Sequence, residues 1–372
     1  MIIVFAFHRS AHKKHVSPFN EIFLKKISQH YHVLVIAVRH FSHRRKLFYV
    51  ENFGSYSVVE FSGFIMPEKY ENLLFRKFNR YMTGVMYRML AKSKLLDNPK
   101  LVHQIGFFHP LGLYFSKICK VPFLMQIIGT DKYFINKWPI KYPADIVVTA
   151  NSVCLGNAVS STFSNTQIIY RGVDIKTHAD KRLKPIVGYK NIFFGGGFPD
   201  YNEQPDGRRY NFKGGLSMLD VISENFNLRI AGPNCDAGEQ YASKRDIKNV
   251  TFLGFLTHEN LLSEIRSADI VVIPSLDEGI ANIAMESMLA ERLVISRAVG
   301  GMPELIRNNE NGLTFTTDND LKKLLNEIAD KTQKKQTAQY DLLRKEGRRS
   351  VLTRFNNDNM IEAYKVIYEK YV

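Results

Sequence analysis

Residues 274–303 read PSLDEGIANIAMESMLAERLVISRAVGGMP, and the fold of the whole chain turns on how they are read. Just before them, Asp269-Ile-Val-Val-Ile273 is a β-branched run suited to a buried strand, which Pro274 and Ser275 stop. Ile283 to Leu289 then has the apolar spacing of a helix packed on a sheet, and Asn282 is its expected N-cap. The unit is strand, loop, helix. Glu278 falls in the loop and Glu286 inside the helix, so one carboxylate can face a ligand at the helix start while the other reaches a different part of it. Between them, Gly279-Ile280-Ala281 leads into a helix start whose backbone N–H groups lack partners and sit at the positive end of the dipole, a ready phosphate site. A capping box does not account for Glu286, because the box partner of Asn282 is Met285.

Taken together, the Pro-Ser, Glu278-Gly279, Asn282, Glu286 and Met288-x-Ala290 positions, the strand Leu293–Ser296 and the turn Val299 to Glu304 resemble the donor-binding signature of glycosyltransferase family 4. That resemblance implies a retaining enzyme that uses nucleotide sugars. It also implies a GT-B fold, in which two Rossmann-like, doubly wound parallel-sheet domains face each other across a cleft and a C-terminal helix crosses back. By the same resemblance Glu278 contacts hydroxyls of the donor sugar and Glu286 holds the ribose hydroxyls.

The 372 residues suit two domains, and a hydrophobic content of 45% is that of a folded globular protein. The apolar start, Met1 to Phe7, has no basic region before it and no small-residue cleavage site after it, so it reads as a first strand. Cys119, Cys154 and Cys235 are odd in number, widely spaced and in no ligand pattern, which predicts free thiols in a reducing cytoplasm and no structural zinc. Charge is unevenly placed. Residues 1–180 carry 24 Lys and Arg against 10 Asp and Glu, and the remaining 27 against 26 nearly cancel. The first half should therefore seek an anionic partner.

That first half alternates strands with helix-length segments. Ile2–Phe7, His32–Val38, a strand near Ser57–Phe61, Leu101–Ile105, Pro122–Ile128 and Asp145–Ala150 read as strands. Pro18–Gln29 and Lys69–Leu96 read as helices, and Arg39 to Tyr49 as a charged, aromatic loop. Such alternation implies a parallel sheet covered on both faces. A polar, basic linker over 174–189 predicts domains at 1–180 and 181–355, with 356–372 as the helix that packs back on the first. Gly172-Val-Asp174 resembles the end of the family's N-terminal domain.

Within the second half, Asn211-Phe-Lys-Gly-Gly215 resembles the family's Lys-Gly element, which makes Lys213 the residue expected to stabilise the departing diphosphate. The family places an Arg five residues earlier. Arg208 has that spacing, but the polar insertion at 198–211 leaves either Arg208 or Arg209 as the partner. Gly195-Gly196-Gly197 is not a dinucleotide fingerprint, because position 200 is Asp; close approach of Gly196 to the nucleotide, or a flexible turn, fits it. Phe255 stands where the family's loop packs against the base, with a plain core phenylalanine as the other reading.

On the acceptor side, His109-Pro110 resembles a place where related enzymes put a histidine near the donor sugar; His109 and His103 stay open between that role and a structural one. Gly129-Thr-Asp131 resembles a family turn but has Ile128 where His is usual, and Arg9 or Lys13 stands in place of the usual glycine-rich loop, able to meet an anion.

The implied mechanism is front-face transfer in which a departing phosphate oxygen takes the acceptor's proton, so no protein base is needed. Asp318-Asn-Asp320 reads as a helix cap rather than a metal site, which predicts metal-independent turnover with no cofactor beyond a UDP- or GDP-linked donor. The basic, aromatic stretches at Arg44-Arg45-Lys46 and along 69–94 predict peripheral contact with an anionic membrane on the inner face of the plasma membrane. The acceptor expected there is a glycan or a polyprenyl-diphosphate-linked glycan. Two rivals are a nucleotide-sugar epimerase on the same fold and a non-enzymatic basic binding protein. No nucleic-acid-reading motif supports a nucleic-acid partner.

Overall fold

The structure is a computed structural model that describes residues 1–7, 18–39, 48–62, 73–106, 110–131, 135, 142, 145–176, 185–198 and 212–372. Two compact units emerge, Met1–Gly172 with Asn357–Val372, and Val173–Asn356.

The first unit is built on β1 (Ile2–Phe7), α1 (Pro18–Ile27), β2 (Val33–Arg39), β3 (Phe48–Asn52), β4 (Tyr56–Ser62), α2 (Leu73–Lys92), β5 (Leu101–Ile105), α3 (Leu111–Cys119), β6 (Phe123–Ile127), β7 (Val147–Ala150), α4 (Val153–Ala158) and β8 (Gln167–Ile168). The sheet runs β3-β4-β2-β1-β5-β6-β7-β8. Every pairing is parallel except β3 with β4. Residues alternate between faces along each strand: Ile3 and Phe5 join one core and Ile2 and Val4 the other. Both faces are therefore covered, as a parallel sheet requires.

Strand β3 corrects the sequence reading. Its first two residues, Phe48 and Tyr49, were expected at the end of a loop, because charge and aromatics hid the pattern, but an antiparallel edge strand buries little and Tyr49 is 45% exposed. The C-terminal helix, Asn357–Tyr368, belongs to this unit. Tyr368 Oη lies 2.6 Å from His103 Nδ1, Tyr364 Oη 3.1 Å from Thr149 Oγ1, and the Tyr364 ring meets Phe23 edge-on at 5.3 Å.

In the second unit come β9 (Asn191–Gly195), α5 (Gly215–Val221), β10 (Asn227–Ala231), α6 (Cys235–Lys244), β11 (Val250–Phe252), α7 (His258–Ser267), β12 (Ile270–Ile273), α8 (Asn282–Leu289), β13 (Leu293–Arg297), α9 (Met302–Leu305), β14 (Leu313–Phe315), α10 (Asp318–Gln333) and α11 (Ala338–Arg354). Its sheet, β11-β10-β9-β12-β13-β14, is parallel throughout. From β9 the chain moves outward through β10 and β11, then crosses to β12 on the other side of β9. That is the doubly wound order, and the reversal between β9 and β12 opens a crevice at their carboxyl ends.

Local signals set the helix starts. Thr317 caps α10 in a capping box with Asp320, so the Asp318-x-Asp320 pair sits at a helix N-terminus as its sequence indicated. One expectation fails: α8 begins at Asn282 itself, with Ala281 extended in the cap position and no side-chain cap. Asn282 Oδ1 is buried without a hydrogen-bond partner rather than turned back on the helix.

Candidate functional site at the β9/β12 switch point

The β-branched strand β12 is buried along its whole length, and Pro274 ends it by removing a ladder donor. The loop that follows is held from both sides. Leu276 N donates to Phe212 O at 2.8 Å, which stitches it to the segment leaving β9. Gly214, at φ +77°, lies so close to Pro274 that a Cβ would come within 2.5 Å of the Pro274 carbonyl. Arg297 ties the same carbonyl from behind: its guanidinium donates to Pro274 O (3.2 Å), to Thr316 O (2.6 Å) and to the Asp318 carboxylate. On the far side of the loop Gly301 N donates to Glu278 O at 3.2 Å. Gly300, at φ +54°, passes so close that a Cβ there would meet Glu278 O at 1.8 Å.

This scaffold brings Lys213 and Glu278 together, with Nζ 2.6 Å from Oε2. The ammonium is half exposed and the carboxylate mostly covered. Gly196 lies behind them, where a Cβ would be 3.2 Å from the Lys213 Cβ and 2.6 Å from the Phe194 ring, so the glycine lets the lysine stem lie against the strand end. Gly195 abuts Ile283 in the first turn of α8. Gly279 is partly covered, Ile280 and Ala281 are buried, and none of them supplies a cap, so the start of α8 keeps donors for an anion.

Glu286, on the same helix, is 7% exposed, and its Oε1 lies 2.7 Å from His258 Nε2. This hydrogen bond raises the His258 pKa above its ordinary value, against the opposing effect of partial burial. His258 escaped the sequence reading. Thr257 ahead of it is a legible N-cap, and its Oγ1 accepts from Asn260 N, but nothing local marks a partner twenty-eight residues away. Arg297 was missed for the same reason, and Gly300, though inside the turn Val299 to Glu304, was given no role of its own: both act through contacts across the fold.

Phe255 is 86% exposed, which removes the core reading and leaves an aromatic ring free in the loop between β11 and α7, three residues before His258. His103 is the opposite case. It is fully buried against Tyr364 and Tyr368, and desolvation lowers its pKa to about 3, so it is a neutral structural residue. Asp131 is likewise buried in a single turn over Gly129–Asp131 and accepts from Ile128 N at 2.8 Å. His109, Arg208, Arg209, Arg9, Lys13 and Arg44 to Lys46 lie outside the described residues.

Residues 216–332 match the family model described as glycosyl transferases group 1. An uncharacterized glycosyltransferase of Methanocaldococcus jannaschii is 42% identical over 302 residues, covering 68% of this chain and 74% of its own length. Among solved structures, the sucrose-phosphate synthase of Thermosynechococcus elongatus superposes with a TM-score of 0.72 at 16% identity, over 99% of this chain and 98% of that one. The Anabaena HepE protein, solved with UDP, superposes with a TM-score of 0.69 at 16% identity over the full length of both chains, and it has also been solved with UDP-glucose.

Proposed function

Because the chain belongs to the group 1 glycosyltransferases and has the GT-B fold, we propose that it moves a sugar, with retention, from a nucleoside-diphosphate sugar to a glycan or lipid-linked glycan acceptor. The observation that carries this reading is the convergence of Lys213, Glu278 and the uncapped start of α8 at the β9/β12 switch point. In this reading the diphosphate lies against Lys213 and the N–H groups at Gly279 to Asn282. Charge that develops on the leaving group is met there by a fixed cation and oriented dipoles. Glu278 accepts from hydroxyls of the transferred sugar, Glu286 from the ribose, and the base lies on Phe255. Gly196 keeps the strand end clear for the close approach.

The acceptor hydroxyl attacks the anomeric carbon on the face from which the diphosphate departs. The C–O bond to the sugar forms as the bond to phosphate breaks, and a departing phosphate oxygen takes the acceptor's proton. Arg208 or Arg209 is proposed as a second cation on the diphosphate and His109 as a donor-sugar contact. Transfer runs without a metal: the carboxylates of the one Asp-x-Asp pair are engaged elsewhere, Asp318 with Arg297 and Asp320 with Thr317. Loss of turnover in EDTA with recovery on adding Mn²⁺ or Mg²⁺ overturns that point.

HepE's capture of UDP-glucose supports a UDP-linked donor over a GDP-linked one. For the acceptor side, α2 supplies an argument. Lys77, Arg80, Arg88 and Lys92 are exposed together with Tyr81, and the helix contains no acidic residue. No helix among the described residues is long and apolar enough to cross a membrane. A peripheral site on the inner, anionic face of the plasma membrane, within reach of a polyprenyl-diphosphate-linked acceptor, fits such a stripe.

The test is calorimetric binding of UDP, GDP, ADP and their sugar conjugates to the wild type and to Glu286→Ala. One nucleotide bound by the wild type and lost in the variant supports the reading. Equal behaviour of the two proteins, or no binding at all, rejects it.

A further inference from the structure

We propose that His258 is a positioning residue of this donor site, holding one oxygen of Glu286 so that the other is presented to the vicinal hydroxyls of the donor's ribose. The inference rests on the donor-site reading above and adds to it a residue that no motif marks.

Glu286 projects from α8, whose backbone is fixed by packing, but a glutamate side chain keeps several rotatable bonds that binding must freeze. Its Oε1 is engaged by His258 Nε2 at 2.7 Å. A carboxylate held at one oxygen can still accept at the other, and part of the ordering cost is met before the ligand arrives. The histidine is itself well anchored. It is the first residue of α7, whose start is set by the Thr257 cap, and Leu262 and Ile265 bury the helix below it. Its ring remains 42% exposed, and Phe255, three residues earlier in the chain, is also exposed. The contact joins Glu286 of α8 to the segment that carries Phe255, proposed above to meet the base.

The charge environment makes the contact readable. Packed against α7, α8 presents Glu286, β9 presents no titratable group, and Arg229 of β10 is paired with Glu264 toward the other end of α7. Glu286 is therefore the charged partner that His258 answers to. The hydrogen bond raises the His258 pKa, so the charge-assisted form of the pair is fully present below about 6.5 and is lost as pH rises through the raised value. Donor binding should weaken over that same interval.

The experiment compares wild type, His258→Ala and His258→Gln by calorimetry with UDP, GDP and their 2′-deoxy analogues, and by kcat and KM at pH 6 and pH 8.5. For the wild type, a preference for the ribose form and a lower KM at pH 6 are expected. His258→Ala should raise KM about tenfold with kcat little changed, and most of the ribose preference should go with it. His258→Gln, whose amide can still donate to Glu286, should recover most of the affinity while flattening the pH dependence. If His258→Ala keeps both the affinity and the ribose preference, the inference falls and the donor site stands. If the wild type binds none of the diphosphates, the donor-site reading falls and takes this inference with it. Should the Ala variant fail to fold, the Gln variant decides: a flat pH profile supports the role, and a wild-type slope overturns it.

Discussion

Lys213 and Glu278 sit 2.6 Å apart, ammonium to carboxylate, where the segment leaving β9 meets the loop leaving β12. Each is the group expected at a different part of one donor, Lys213 at the diphosphate and Glu278 at the sugar. A diphosphate must therefore compete with Glu278 for the lysine, and a complete donor can satisfy both partners at once.

This competition gives an unusual expectation for Glu278→Gln. Removing the charge frees Lys213 and relieves repulsion of the phosphates, while the sugar loses its acceptor. A partly exposed pair is worth up to about 1 kcal/mol, so the free nucleoside diphosphate should bind about twofold to fivefold more tightly. Turnover of the sugar conjugate should fall. Calorimetry with the diphosphate alone checks the first half, and kcat/KM the second. Weaker diphosphate binding by the variant would argue against the exchange.

Gly300 is the second point of test. Alanine there is strained twice, by φ +54° and by a Cβ that would meet Glu278 O at 1.8 Å. Gly300→Ala should cost about 2–3 kcal/mol in urea unfolding and should raise the donor KM by displacing Glu278. Gly54, also at positive φ but with open space around its Cβ position, is the control: Gly54→Ala should leave donor KM unchanged.

His103 should make the first unit sensitive to acid. Its folded pKa, about 3, lies below the 6.5 of an unfolded histidine, so the unfolded chain takes up the proton first as pH falls. Stability should drop by about 1.4 kcal/mol for each pH unit between roughly 6 and 4 on this account. Urea midpoints at pH 5 and pH 7 for wild type and His103→Gln give the comparison. The variant should lose part of the slope, and an unchanged slope would count against a buried neutral histidine.

The α2 stripe can be tested by charge reversal. Arg80→Glu with Arg88→Glu should abolish sedimentation with anionic vesicles and leave UDP binding unchanged, because the residues proposed to hold the nucleotide lie in the other unit. Neutral vesicles should recover neither protein. Salt-insensitive binding, or none by the wild type, would remove the membrane from the proposal.

What the sequence determined by itself is local. A β-branched run ended by proline announces β12, helical apolar spacing announces α8, and Asp318-Asn-Asp320 announces the start of α10, because each depends on steric and hydrogen-bonding preferences within a few residues. The run from Pro274 to Glu304 also singled out Glu278 and Glu286, since spacing along one strand-loop-helix unit is visible in one dimension. Tertiary structure decided the partners. Lys213 meets Glu278 across sixty-five residues, His258 meets Glu286, and Gly300 must be glycine because the Glu278 carbonyl lies against it. It decided His103 too, whose neighbours Tyr364 and Tyr368 come from the far end of the chain and turn a candidate site residue into core. It also moved the cap of α8 to Ala281, where an extended backbone, not the better-capping Asn282, takes the cap position. Propensity is a preference of tenths of a kilocalorie to about one, and packing between distant segments outweighs it wherever the two disagree.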